Sequence, residues 1–469
     1  MFSAHRKIQI AEFLRSPLQS LPSSLHWVFV LFAAPLVIFL AVRTPAFQSP
    51  DEDNHFYRSW QVAHGGLFAH GGGYVDSGIE QLDARVANLP FNPQAHITVA
   101  DVAGARTVPW SGHLIYRQFS NTAAYFPASY IPQALGILIG QAIGIGVLDT
   151  LILARILNGA AAIAICAFAL SLCRRGKIVI FAVLLLPMTL SLFASSSQDA
   201  TLIALAGLAF SLISRQLDAA VPMTRTTAAV VFGAILLIAI GRPPNAALAL
   251  AFFIPGLLPS RSKTQELLTA FVLTGVTVTI TLGWWIAVIL ATRGISLPYV
   301  AGTQADPKMQ LIYLLHHPHI VVPLLGYIAH HTVFYIAGVI GDLGWLDTLM
   351  PPAYYLAMLL VLVAAIVAEL THSPTIPRRA SMIILGSSFL GLAGVFLINY
   401  LIFAPVGGEG FDAVQGRHMI PLLVAAPVGL PRLQDSRQDY ERATAVVVLA
   451  QLLTVAVLPH VIMARYYTG

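Results

Sequence analysis

Charge is what this sequence has least of. Only 10% of its 469 residues are Asp, Glu, Lys or Arg, 57% are hydrophobic, and the mean hydropathy is +0.76. A soluble domain carries about a quarter charged residues, so a chain this size could not cover itself against water. That excludes a soluble enzyme. The formal charge of +5 is small, and the basic residues sit in short clusters between apolar runs. They set membrane topology rather than bind polyanions, which excludes a nucleic-acid partner. Cysteine is nearly absent. Cys166 and Cys173 are the two present, too few for a disulfide framework, and at helical spacing they read as lipid- or core-facing. Repeats and low-complexity tracts are missing too, apart from the glycine patch His70–Gly73.

What the chain has in abundance is long uncharged apolar sequence, spread from Leu25 to His460. A spanning helix needs about 20 apolar residues. The candidate runs are 25–42, 130–148, 150–172, 177–195, 199–214, 226–241, 244–259, 266–292, 320–341, 352–370, 380–403, 417–431 and 444–463. The first follows a polar stretch carrying Arg6, Lys7 and Arg15, and no small-residue cleavage site follows it. It is expected to remain as the first spanning helix, with the N-terminus cytoplasmic. Counting every run as a crossing would put both Arg174-Arg175-Gly176-Lys177 and Arg378-Arg379 outside, against the positive-inside bias. Two runs can be set aside as juxtamembrane or re-entrant: 130–148 is rich in Gly and Gln, and 320–341 is broken by Pro323, His330 and His331. Every basic loop then turns cytoplasmic, leaving about eleven crossings out of a range of 11 to 13.

The fold expected is therefore an all-α polytopic membrane protein. Its divisions are a cytoplasmic N-terminus (1–24), a transmembrane module (25–292) with a long outer loop (44–129), a second outer loop with juxtamembrane helices (293–349), and C-terminal transmembrane helices (350–469). The first loop has little hydrophobic periodicity and many Gly, Asn and Pro residues. It is expected to be irregular and ordered by packing on the membrane body.

The densest polar cluster follows the first run: Gln48-Ser49-Pro50-Asp51-Glu52-Asp53-Asn54-His55-Phe56-Tyr57-Arg58. Part of it reads as a helix start, with Ser49 as N-cap, Pro50 at the first position and Glu52 closing a capping box. Asp51, Asp53 and His55 are not needed for that. A carboxylate at a membrane face suits a general base for an acceptor hydroxyl, or a holder for a divalent cation against a phosphate. A second carboxylate beside it would raise one pKa and favour the base role.

Further candidates lie in other outer turns. Asn121-Thr122-Ala123-Ala124-Tyr125-Phe126-Pro127 precedes the first run set aside, and Tyr125 and Tyr130 alone would read as an aromatic belt. Arg155 and Asn158 open a crossing, where an arginine can simply snorkel. Ser195–Asp199 reads equally as a turn and N-cap. Arg242, in Gly241-Arg242-Pro243-Pro244-Asn245, and Arg417, in Gln415-Gly416-Arg417-His418, are at head-group level, where a guanidinium suits a lipid-linked phosphate. The plain alternatives are a snorkelling Arg242 and an Arg417 paired with Asp412 or Glu409. The segment 306–319 reads as an amphipathic surface helix carrying Lys308 and ending in His316, His317 and His319. With His330-His331 it invites a metal site, but shows no zinc-ligand spacing with a carboxylate partner. Gly341-Asp342-Leu343-Gly344-Trp345-Leu346-Asp347 reads as a structural acidic turn.

The order of these landmarks is more specific than any one of them. Pro-Asp-Glu-x-x-His after the first helix, Asn-Thr-x-x-Tyr-x-Pro, Arg-x-x-Asn, Ser-x-Asp, Gly-Asp-Leu-Gly-Trp-Leu-Asp and Gln-Gly-Arg-His-x-x-Pro run along residues 26–430. This resembles the bacterial membrane-protein family catalogued as domain of unknown function 2142, whose members more often have Tyr where His418 stands. More distantly it is similar to the GT-C glycosyltransferases, among them protein O-mannosyltransferases, aminoarabinose transferases and oligosaccharyltransferase catalytic subunits. That wider likeness covers the N-terminal half and the acidic first loop.

The resemblance implies a GT-C-like fold in the bacterial inner membrane, working on the periplasmic side. It implies transfer of a hexose or pentose from polyprenyl phosphate or diphosphate to a glycan, lipid or protein acceptor, with inversion. The essential acid of such enzymes matches Asp51 and Glu52, with His55 beside them, and an assisting acid matches Asp199. Arg242 or Arg417, with Lys308 behind them, would hold the donor phosphate. Tyr125, Arg155, Gln415 and His418 would support the site. Metal dependence varies among these enzymes, so a magnesium or manganese ion is left open. Rival readings are a flippase or transporter of lipid-linked glycans, and an O-antigen polymerase or ligase. A transporter favours mid-membrane charges and internal repeats, whereas here the charges collect at one face.

Overall fold

The computed structural model describes residues 2–291, 305–372, 374–411, 413–433 and 437–467. In hydrocarbon a backbone must satisfy its own hydrogen bonds, so apolar runs of spanning length become helices. Seven are long and apolar enough to cross a bilayer: Leu21–Arg43, Val147–Leu172, Asp199–Ala219, Lys263–Ala291, Pro352–Thr371, Arg378–Phe403 and Tyr440–Tyr466. Their outward faces are bare. Leu267, Leu268, Phe271, Leu282, Ile286 and Ile289 on one helix are all more than half exposed. An apolar face that long would be a serious liability in water and is ordinary against lipid. The protein is a mostly helical, polytopic membrane protein.

The remaining apolar runs form shorter or broken helices. The run 177–195 is split into Lys177–Leu184 and Pro187–Phe193, because Pro187 cannot supply the N–H that would continue the first helix. All eight residues of Lys177–Leu184 are buried. Arg225–Gly241 stops at Arg242-Pro243-Pro244, and Pro243–Phe253 then continues as a 3-10 helix. The run 417–431 becomes Gly416–Met419, Ile420–Ala425 and Ala426–Gly429 in succession. Neither run set aside from the sequence forms one straight spanning helix. The first becomes Ile131–Ala142, and the second is divided at His331 into Val321–His330 and Thr332–Ile340.

The first loop is more regular than expected. It contains two antiparallel strands, β1 (Gly72–Asp76) and β2 (Leu114–Gln118), with Tyr74 opposite Tyr116, so the all-α expectation needs correcting by one small sheet. Asp76 pins it: its carboxylate accepts from Gly78 N, Ser111 N and Gly112 N. Thr98 and Asp101 form a complete capping box on Val99–Arg106. The loop is also tied to the last helix. Ile97 N donates to Tyr466 O, and Arg465 donates to Leu89 O, Ala95 O and Asp347.

Contacts of this kind separate two ends. At one, Arg175 donates to Val428 O and Leu430 O, while Glu369 accepts from Gly176 N and Ile178 N. The basic clusters gather there. At the other end the polar candidates meet.

Candidate functional site

Helix α2 (Glu52–Ala63) does not start as a capping box at Ser49. Its N-cap is Asp51, in the left-handed region at φ 59°, and Asp51 makes no side-chain cap bond. Aspartate is among the few residues with a side chain that tolerate that conformation. The turn throws Asp51 and Glu52 in different directions, and neither carboxylate serves the helix start.

Glu52 points inward. Arg155, from Val147–Leu172, grips it with Nε to Oε1 at 2.8 Å and Nη2 to Oε2 at 2.5 Å. Both side chains are fully buried. The rest of the guanidinium donates to Ala41 O, Thr44 O and Pro45 O, and Glu52 Oε1 also accepts from Ser196 N. A guanidinium has five N–H donors, and here each has a partner. In place of the snorkelling alternative, Arg155 forms a closed bracket joining the end of α1 (Phe2–Arg43), α2 and the 195–198 turn.

Asp51 points the other way. Its Oδ2 accepts from Arg417 Nη2 at 2.5 Å, and its Oδ1 from Asn121 Nδ2 at 3.1 Å. Arg417 also donates to Pro50 O. Its Nε has no partner among the described residues. Backbone contact sets its position: a Cβ on Gly416 would lie 2.2 Å from the Gly338 carbonyl carbon, so only glycine lets the two strands of chain cross there. Of the alternative partners within its own loop, Glu409 makes no ion pair with Arg417 among the described residues, and Asp412 lies outside them. Asp51 keeps 19% of its side chain exposed.

A second pair stands nearby. Arg242 Nε and Nη2 both donate to Asp199 Oδ1, at 3.1 and 2.5 Å, leaving Asp199 Oδ2 without a partner among the described residues. Trp285 Nε1 donates to Ile240 O, and Trp284 Nε1 to Ala124 O, so the Lys263–Ala291 helix fixes both the Arg242 turn and the Tyr125 segment.

His55 lies between the pairs. Its Nδ1 is 2.7 Å from Tyr130 OH, its Nε2 is 3.4 Å from Ser197 Oγ, and it stacks on Tyr125 at 5.8 Å. Burial pushes its pKa down to about 4, although Asp199 and Asp51 pull the other way. The imidazole is thus neutral at physiological pH. The charges of Asp51, Asp199, Arg242 and Arg417 reach both His55 and Tyr125, and those of Arg242 and Arg417 reach His418. Asp53 is pushed up to about 7, mainly by burial, with Asp83 and Asp51 adding to it.

Nine of the expected residues thus come together: Asp51, Glu52, His55, Tyr125, Arg155, Asp199, Arg242, Arg417 and His418. Gln415 lies on the same turn as Arg417, with its Oε1 buried and unpartnered. Lys308 does not join them. It is exposed on Pro307–His316, where its backbone N–H bonds Asp306. Asn121, Ser197, Gln198 and Asn245 were not singled out beforehand, although each lies within a motif named from the sequence, and Tyr130, read there as part of an aromatic belt, bonds His55 instead. Among the described residues no group of three or more His, Cys, Asp or Glu side chains could hold a metal. Asp51, Glu52 and Asp199 each face a guanidinium.

The family model for a predicted membrane protein (DUF2142) matches residues 35–426, a stretch containing every site residue named above, and the chain belongs to that family. It matches no curated protein and no solved structure.

Proposed function

We propose that this protein is a GT-C-type membrane glycosyltransferase, moving a sugar from polyprenyl phosphate or diphosphate to a cell-envelope glycan, lipid or protein on the outer face. One observation carries the reading: two carboxylate–arginine pairs, Asp51–Arg417 and Asp199–Arg242, meet around a neutral histidine at one end of the helical body. Guanidinium groups with donors to spare suit a phosphate leaving group. A partly exposed carboxylate beside them suits a base.

In this mechanism Arg417 and Arg242 hold the donor phosphate. The acceptor hydroxyl enters from the aqueous side and loses its proton to Asp51 as its oxygen bonds the anomeric carbon. The bond from that carbon to the phosphate oxygen breaks, and prenyl phosphate leaves with the electron pair. Attack opposite the leaving group inverts the centre. His55, held by Tyr130 and Ser197, keeps α2 in register with the Asp199 turn. In this reading Glu52, enclosed with Arg155, holds structure and Asp51 is the base.

The chain crosses the bilayer eleven times in this reading. The seven long helices are joined by 177–193, 225–241, 243–253 and 416–429. Broken or 3-10 backbone is tolerated at membrane depth where protein encloses it, and the burial of Lys177–Leu184 supports that. Basic clusters at the opposite end favour a periplasmic site in the bacterial inner membrane.

The direct test is binding of a short-chain prenyl phosphate to the purified protein. Arg242→Gln and Arg417→Gln should each weaken it about tenfold, the worth of one charge-assisted hydrogen bond. No binding by the wild type, or unchanged affinity in both variants, overturns the reading.

A further inference from the structure

Three side chains beside Arg242 carry polar atoms that have no partner among the described residues. Asn245 is fully buried, yet neither Nδ2 nor Oδ1 has a partner among the described residues. Gln198 is also fully buried: its Nε2 donates to Gly241 O at 3.2 Å, and its Oε1 is unpaired. Asp199 Oδ2 completes the set.

They are neighbours. Gln198 adjoins Asp199 in the chain, Asp199 grips Arg242, and Gln198 Oε1 would lie 3.4 Å from a Cβ on Gly241. Asn245 follows Arg242 by three residues at the head of the 3-10 segment, with its N–H on Arg242 O. That backbone bond already closes the turn, so the Asn245 amide is not needed for it. Leaving a buried polar group unpaired is destabilising, which asks what pairs it.

The balance of donors and acceptors selects the ligand. The unpaired acceptors are Gln198 Oε1, Asp199 Oδ2 and Asn245 Oδ1, against one donor, Asn245 Nδ2. A phosphate brings acceptors, and Asp199 repels it. An ammonium brings donors alone and leaves Nδ2 unmet. Hydroxyl groups bring both.

We propose that Gln198, Asp199 and Asn245 form a hydroxyl-binding subsite for the sugar carried by the prenyl phosphate, next to the arginine that holds the phosphate. The inference rests on the donor-phosphate reading above and names where the transferred group is recognised.

The test compares affinities of the full-length protein in nanodiscs for bare short-chain prenyl phosphate and for the same lipid carrying mannose, glucose, galactose or arabinose. The wild type should bind at least one sugar-bearing lipid about tenfold tighter than the bare lipid, since a site built for hydroxyls rejects a ligand lacking them. Asn245→Leu should close that gap while leaving affinity for the bare lipid unchanged. Gln198→Leu reads the same gap should the first variant fail to fold. Binding of the bare lipid with no preference for any sugar, or a gap that survives both substitutions, overturns the subsite alone. No binding of any prenyl phosphate by the wild type overturns the donor-phosphate reading, and the subsite falls with it.

Discussion

The Glu52–Arg155 region and the Asp51–Arg417 region begin at adjacent residues and end in different chemistry. In the first, both side chains are fully buried and the arginine has five hydrogen bonds, to Glu52 and to three backbone carbonyls. In the second, the carboxylate is partly exposed, the arginine keeps an unpaired Nε, and a neighbouring pair leaves Asp199 Oδ2 unmet. The difference teaches how to sort ion pairs at a membrane surface. A pair whose valences are all met inside the protein holds structure, and a pair with valences left over can receive a ligand. The left-handed turn at Asp51 is the local device that sends two consecutive carboxylates into these two settings.

The comparison breaks most visibly at Glu52. Glu52→Gln strands a buried guanidinium, and removing one partner of a buried pair costs about 3–5 kcal/mol. Thermal melting in detergent should therefore show a strongly destabilised variant, or little folded protein. A wild-type melting curve would place the pair among dispensable contacts.

Asp53 sharpens the contrast with a third, neighbouring carboxylate. Its folded pKa of about 7 stands above the ordinary 3.8, so between those values the folded protein holds a proton that the unfolded chain releases. Its contribution to stability is complete at acid pH and is lost as pH rises through 7. Asp53→Asn should then melt above the wild type at pH 8 and level with it at pH 4. An identical offset at both pH values would contradict this. The smallest effect is expected at Lys308. Its exposed place on Pro307–His316 predicts that Lys308→Ala leaves donor affinity within about twofold, because an isolated surface charge contributes little.

Much of this was legible in the sequence because composition and spacing carry it. Apolar runs of spanning length became helices, and the two interrupted runs, 130–148 and 320–341, formed no straight span. The Asp-Glu, Ser-x-Asp, Gly-Arg-Pro and Gly-Arg-His motifs converged at one end. What the sequence could not show is pairing. Arg155 meets Glu52 across 103 residues and Arg417 meets Asp51 across 366, and one chain carries no record of such distances. Ser49 looked like an N-cap because the local pattern fits one, but tertiary pairing of Asp51 and Glu52 moved the helix start. The two strands were hidden by glycines and by a partner far along the chain. Asn245 was hidden by its surroundings, since an amide between prolines and alanines reads as part of a turn until its hydrogen bonds are counted.

The central claim is that Asp51, and not Glu52, is the reacting carboxylate. The measurement is transfer of labelled sugar from polyprenyl-phosphate donors, per folded molecule, for wild type, Asp51→Asn and Glu52→Gln. Asparagine also tolerates the left-handed turn, so Asp51→Asn should fold normally and lose transfer by about a hundredfold to ten-thousandfold, the range for a missing general base. Glu52→Gln should fail through loss of folded protein. Full activity in folded Asp51→Asn, or abolished transfer in a Glu52→Gln variant that melts like the wild type, would contradict the account.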